Sequence, residues 1–140
     1  MKHHKKYRCI FICRNRVDTY GICYGLNNSA QFVVNALNHT HDHDYNIHAS
    51  YINVVDANSI DKEVTNYKPT HVFIEALWVT PEKFAVLLKL HPDVKWVVRI
   101  HSKTPFIAAE GIALDWIIKY YKLGLIIAPN TEEFCENLKL

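Results

Sequence analysis

The sequence has no apolar run long enough to cross a bilayer as a helix. The first such run, Tyr7 to Cys13 after the basic opening Lys2-His3-His4-Lys5-Lys6, falls far short of the ~20 residues a span requires. The small-residue cleavage site of a signal peptide is also missing, so the chain is expected to stay in the cytoplasm of the cell that makes it. Cysteine is scarce and unpatterned: Cys9, Cys13, Cys23 and Cys135 form no C-x-x-C pair and lack the density of a disulfide scaffold, so they read as reduced thiols. Charge of one sign is not in excess. Sixteen Lys and Arg stand against 14 Asp and Glu, which removes the general electrostatic argument for nucleic acid or an anionic membrane as partner. There is no internal repeat, low-complexity tract or linker, and 140 residues are enough for one domain, 1–140, with one core. Neither the G-x-G-x-x-G fingerprint nor a P-loop is present.

What is there is an alternation. Five runs, nearly continuous in apolar or β-branched residues, predict strands buried on both faces: Tyr7 to Cys13, Ser50 to Val55, His71 to Glu75, Lys95 to Ile100 and Leu125 to Ala128. Helical patterns lie between them. Asn28 or Ser29 can cap a helix through about His39, with Phe32, Val33, Ala36 and Leu37 on one face. Asn58 or Ser59 opens a shorter one to Tyr67. Thr80-Pro81-Glu82 is the strongest start, because a capping hydroxyl precedes a proline that needs no N–H and an acid that suits the helix dipole. That helix should end near His91-Pro92. A fourth spans about Ala109 to Lys122 with Gly124 as its stop, and Thr131 with Glu132 and Glu133 begins a last one. Strand-then-helix repeated five times predicts an α/β, Rossmann-like, doubly wound parallel sheet of five strands in the order 3-2-1-4-5.

In such a sheet ligands sit beyond the carboxyl ends of the strands, where the strand order reverses. With the first strand central, the loops after strands one and four would flank that point. The first loop carries Arg14, Asn15 and Arg16, suited to phosphate or carboxylate, and Gly21 and Gly25, which either let backbone N–H groups approach an anion near Asn28 at the helix start or serve turns needing φ > 0. The second carries His101, a candidate general base or anion ligand, beside Ser102, Lys103 and Thr104. Glu75, ending the third strand, is a lone carboxylate that can bind a ligand or cap a loop. Asp56 stands where related folds hold a ribose, and a helix-capping role explains it equally. His39, His41, His43 and His48 could bind zinc or nickel, but their connection lies at the opposite edge of the sheet, so a solvated loop and no metal is the expectation.

Phe11-Ile12-Cys13-Arg14-Asn15-Arg16 with the Gly21 to Ser29 loop, Thr70 to Trp78, Val98 to Phe106 and Ala128-Pro129-Asn130 together resemble the N-terminal half of GT-B-fold glycosyltransferases, and more closely glycosyltransferase-like proteins of bacteriophages. The resemblance implies that Gly21, Gly25 and His101 line a cleft with Arg14 and Arg16 near it. It further implies a nucleotide sugar as donor, and no other cofactor. The second domain of that family would begin where this chain ends, so the 140 residues alone are expected not to transfer sugar. The alternatives are a non-enzymatic phage module that holds a nucleotide, a nucleotide sugar or another small anionic ligand and can form a homo-oligomer, and a protein-interaction domain.

Overall fold

The computed structural model describes residues 5–14, 23–39, 45–100 and 111–129. Along the chain these form β1 (Lys5–Arg14), α1 (Cys23–Asn38), β2 (Tyr45–Val54), a 3₁₀ turn (Ala57–Ser59), α2 (Ile60–Tyr67), β3 (His71–Glu75), α3 (Pro81–Leu90), β4 (Lys95–Ile100), α4 (Gly111–Lys122) and β5 (Ile126–Pro129). All adjacent strands pair in parallel, so the expected α/β doubly wound sheet of five strands is what forms.

The strand order is β2-β1-β3-β4-β5, not 3-2-1-4-5. Burial explains the difference. β3 is short and nearly enclosed, with Val72 and Ile74 at 0 % exposure, and such a strand gains most from neighbours on both sides. β2 has only Ala49 and Val54 buried and leaves Asn46, His48 and Asn53 exposed, the profile of an edge. It also begins at Tyr45, five residues before the apolar run suggested, because it pairs with β1 over ten positions from Lys5–Tyr45 to Arg14–Val54.

Each strand sends alternate side chains to opposite faces. Ile10, Ile12, Val72, Ile74, Trp96, Val98 and Ile100 pack against Ile60 and Val64 of α2, Phe84 and Leu87 of α3, and Ile117 and Tyr120 of α4. Cys9, Phe11, Cys13 and Ala49 meet Ala30 and Val34 of α1 on the other face. Phe84 and Tyr120 meet edge to face at 4.9 Å, and the Tyr120 hydroxyl donates to the Val79 carbonyl.

The helix signals fared unevenly. Thr80 caps α3 as expected, its Oγ1 accepting from the Lys83 N–H at 3.1 Å with Pro81 opening the helix. α1 instead starts at Cys23, placing Gly25 and Asn28 inside the helix. An asparagine or glycine in a helix costs at most about 1 kcal/mol, so a capping residue type alone did not fix the start. The helix foreseen from Thr131 lies outside the described residues. No helix among the described residues is long and apolar enough to cross a membrane.

Candidate functional site: the carboxyl ends of β1, β3 and β4

With the order β2-β1-β3-β4-β5, the chain reverses direction of growth between β1 and β3, so the crevice belongs at the carboxyl ends of those two strands. This corrects the expectation that the loops after β1 and β4 flank the reversal, since β4 lies beyond β3.

Glu75 is the last residue of β3 and stands opposite Arg99 in the β3–β4 register. Arg99 Nη1 donates to Glu75 Oε1 at 2.5 Å, with the Glu75 side chain at 0 % and the Arg99 side chain at 21 % exposure. A carboxylate removed from water needs such a partner, and a charge-assisted bond from a guanidinium supplies it. The backbone reinforces the pair. Ala76 N–H donates to the Arg99 carbonyl at 2.9 Å, and Trp78 Nε1 donates to the Glu75 carbonyl at 2.8 Å.

Toward β1 the pair rests on aromatic rings: Phe11 and Phe73 stack at 4.4 Å with planes 5° apart, and the Arg99 guanidinium lies 5.7 Å from the Phe11 centroid. Cys13 is buried on the same face. Next to it Tyr51 donates to Asn53 Oδ1 at 2.8 Å. Burial pushes the Tyr51 hydroxyl well above the ordinary phenol range, and its hydrogen bond with Cys13 adds to the rise. Burial likewise raises the Cys9 thiol, which leaves it protonated and a poor nucleophile at neutral pH.

Immediately after Glu75 the chain turns at Ala76 with φ 75°, left-handed backbone that alanine rarely adopts. Left-handed backbone costs an L-residue about 1–2 kcal/mol, and glycine's greater unfolded-state freedom offsets part of the gain from relieving it. Ala76→Gly is therefore expected to raise stability by about 0.5–1 kcal/mol. A higher urea midpoint at unchanged slope checks it; a lower midpoint refutes it.

Of the residues singled out in the sequence, Glu75 stands at the strand end foreseen, held in the ion pair, and Arg14 ends β1 with an exposed side chain. Gly25, within α1, does not make the turn suggested for it. Asn15, Arg16, Gly21, His101, Ser102, Lys103 and Thr104 lie outside the described residues, as do His41 and His43. Asp56 takes its capping role, Oδ1 accepting from the Asn58 N–H at 2.9 Å. His39 Nδ1 meets the Asn35 carbonyl at 2.7 Å and His48 Nδ1 the Tyr67 hydroxyl at 2.7 Å. Among the described residues no three His, Cys, Asp or Glu side chains group as metal ligands. Arg99 went unremarked in the sequence, although a lone cation inside the apolar run Trp96-Val97-Val98-Arg99-Ile100 is itself a sign of a buried anionic partner.

No family model and no curated protein sequence matches the chain. Solved structures do. A DNA-binding response regulator of the LuxR family from Staphylococcus aureus superposes with TM-score 0.53 at 14% identity, covering 93% of this chain and 94% of that one. A two-component response regulator of the LuxR family from Aurantimonas sp. SI85-9A1 gives TM-score 0.51 at 9% identity over 96% and 81%. The N-terminal domain of an uncharacterized protein from Wolinella succinogenes gives 0.51 at 13% over 95% and 91%. At these identities the likeness is one of fold. It overturns the glycosyltransferase resemblance, and with it the nucleotide-sugar reading: two of these three structures are response regulators of the LuxR family, and none of the three is a glycosyltransferase. Where they fall on described residues, the stretches that suggested otherwise belong to β1, the start of α1, β3 and its turn, and the ends of β4 and β5, elements that any doubly wound sheet presents.

Proposed function

We propose that this chain is a receiver-type signalling domain that acts through protein contact, with Glu75 held by Arg99 as a fixed ion pair at the place where a phosphoryl group would be accepted. The fold shared with response regulators over most of both chains supports the class. The observation that carries the mode of action is the Glu75 side chain at 0 % exposure with its charge met by Arg99 at 2.5 Å. A carboxylate nucleophile must be reachable in line with the bond it breaks, and its lone pairs must be available. Glu75 satisfies neither requirement in this arrangement. The pair, the stacked rings and the Ala76 turn instead make a rigid strand-end platform on which neighbouring loops can be displayed to a partner.

A second reading has one observation in its favour: Glu75 ends the strand next to the sheet's reversal, where an acceptor carboxylate would be placed. In that case a Glu75 oxygen would attack the phosphorus of acetyl phosphate, forming a mixed anhydride and releasing acetate. Incubation of the protein with acetyl phosphate and Mg²⁺, followed by intact mass and peptide mapping, separates the two. The expected result is unchanged mass and unchanged amide spectra. A gain of one phosphoryl group at Glu75, absent from Glu75→Gln, would replace the first reading with the second.

A further inference from the structure

We propose that the amino-terminal ends of β1 and β2 form a binding site for a phosphate-type dianion carried by a small molecule, with Arg8 as its fixed centre. The site stands at the opposite end of the sheet from Glu75. Lys6 and Arg8 of β1 lie in register with Asn46 and His48 of β2. Alternate residues share a face, so these four stand on the side where Ile10, Ile12 and Val54 pack with Ile60 and Val64 of α2. α2 has eight residues and stops at Tyr67, and all four residues are exposed. Two positions along a strand span about 7 Å, and neighbouring strands lie about 4.8 Å apart. Lysine and arginine arms rooted in so small a patch can reach one oxyanion together.

Arg8 is held at both its backbone and its side chain. Its N–H donates to Thr70 Oγ1 at 3.0 Å, and its carbonyl accepts from the Thr70 N–H at 2.8 Å. Nε and Nη2 both donate to the Tyr67 carbonyl, at 3.2 and 3.0 Å, and the guanidinium carbon lies 4.3 Å from the centre of the Tyr67 ring. The Tyr67 hydroxyl is tied in turn to His48, 2.7 Å from Nδ1. Fork and stack fix the guanidinium in one orientation, so little rotamer freedom is left to lose when a ligand binds. The same bonds satisfy the last carbonyl of α2, which offsets the negative end of that helix before an anion arrives. Nη1 takes no part in them and is the donor left for a ligand.

The surrounding charge has one sign. Lys68, exposed and next to Tyr67 in the chain, adds a third formal cation to Lys6 and Arg8. The ion pairs formed among the described residues, His91–Asp61, Arg99–Glu75 and Lys119–Asp115, include none of the three. Like charges gathered without a counter-ion oppose folding, and a bound dianion would relieve that repulsion. Several cations around one group suit the charge and the acceptor oxygens of a phosphate better than those of a carboxylate.

NMR titration of the 140-residue protein with inorganic pyrophosphate at constant ionic strength tests this, alongside Arg8→Lys, Lys6→Gln and Lys89→Gln. In the native chain, saturable shifts are expected at the amides of Arg8, His48 and Lys68, with a Kd below about 1 mM. Arg8→Lys keeps the charge and loses the fork, and should weaken binding about tenfold. Lys6→Gln changes an exposed side chain, leaves the fold intact, and is expected to weaken binding several-fold. Lys89→Gln makes the same change of charge on α3 and should leave binding as it is. Flotation with vesicles containing phosphatidate separates a lipid headgroup from a soluble phosphate, and no flotation is expected. The proposal is overturned by shifts that do not saturate or that centre on other elements, by a folded Arg8→Lys protein that binds as tightly as the native one, by Lys89→Gln weakening binding as much as Lys6→Gln, or by flotation without pyrophosphate binding.

Discussion

Arg99→Met is expected to destabilise the protein by about 3–5 kcal/mol, the usual consequence of removing one partner from a buried ion pair. The Glu75 side chain, at 0 % exposure, would be left as a carboxylate with its guanidinium partner gone. Against a total stability of about 5–15 kcal/mol this is a large fraction. Methionine conserves the volume of the aliphatic stem, so packing loss is minor and the effect is mostly electrostatic. Replacing both partners, Glu75→Leu with Arg99→Met, should recover most of it, because an apolar pair of similar volume needs no compensation. Urea unfolding of the two single variants and the double one gives the coupling directly. A cost below about 1 kcal/mol for Arg99→Met would mean that solvent or another group already satisfies Glu75. In that case the fixed-pair reading of the site would fail with it.

How much of this was legible beforehand depends on whether the information is local. Thr80, Pro81 and Glu82 announce a helix within three residues, and α3 starts there. The alternation of apolar runs with amphipathic stretches is equally local, and it gave the doubly wound class. Strand order is not local. Whether β1 or β3 stands beside β4 is decided by which strands tolerate burial on both edges, and the exposed His48 and Asn53 of β2 show it only when counted as a pattern over ten residues, half of which lay outside the apolar run first recognised. The same limit governed the site. Glu75 was visible from its place at a strand end, but its meaning came from Arg99, 24 residues away and on the neighbouring strand. Asn38 shows the limit most sharply: an asparagine at a helix end is a common residue in a common place, and only its two bonds to Ala49 reveal that it ties the end of α1 to β2.

Raising the pH from 10 to 12 is expected to remove about 2–3 kcal/mol of stability through Tyr120 alone. Its side chain is fully buried against Phe84 and Trp116, and its hydroxyl donates to the Val79 carbonyl. Burial pushes the hydroxyl well above the ordinary phenol range, with the charge of Glu82 adding to the rise. The sign follows from proton counting. Above pH ~10 the unfolded chain releases the phenolic proton while the folded chain keeps it, so the unfolded state binds fewer protons and stability falls as pH rises. The slope approaches about 1.4 kcal/mol per pH unit for one such tyrosine and persists until the folded-state group itself titrates. Tyr51, raised for the same reason, bends the curve further in the same direction. Tyr120→Phe isolates the contribution. It should lower stability at pH 7 by about 1–3 kcal/mol, since the Val79 carbonyl loses its donor, and should flatten the alkaline slope by one tyrosine's share. Guanidinium unfolding at pH 8, 10, 11 and 12 for both proteins reads the two effects separately. Parallel curves would mean that the Tyr120 hydroxyl reaches solvent in the folded state and that the α3–α4 packing around it is looser than Phe84 and Trp116 make it here.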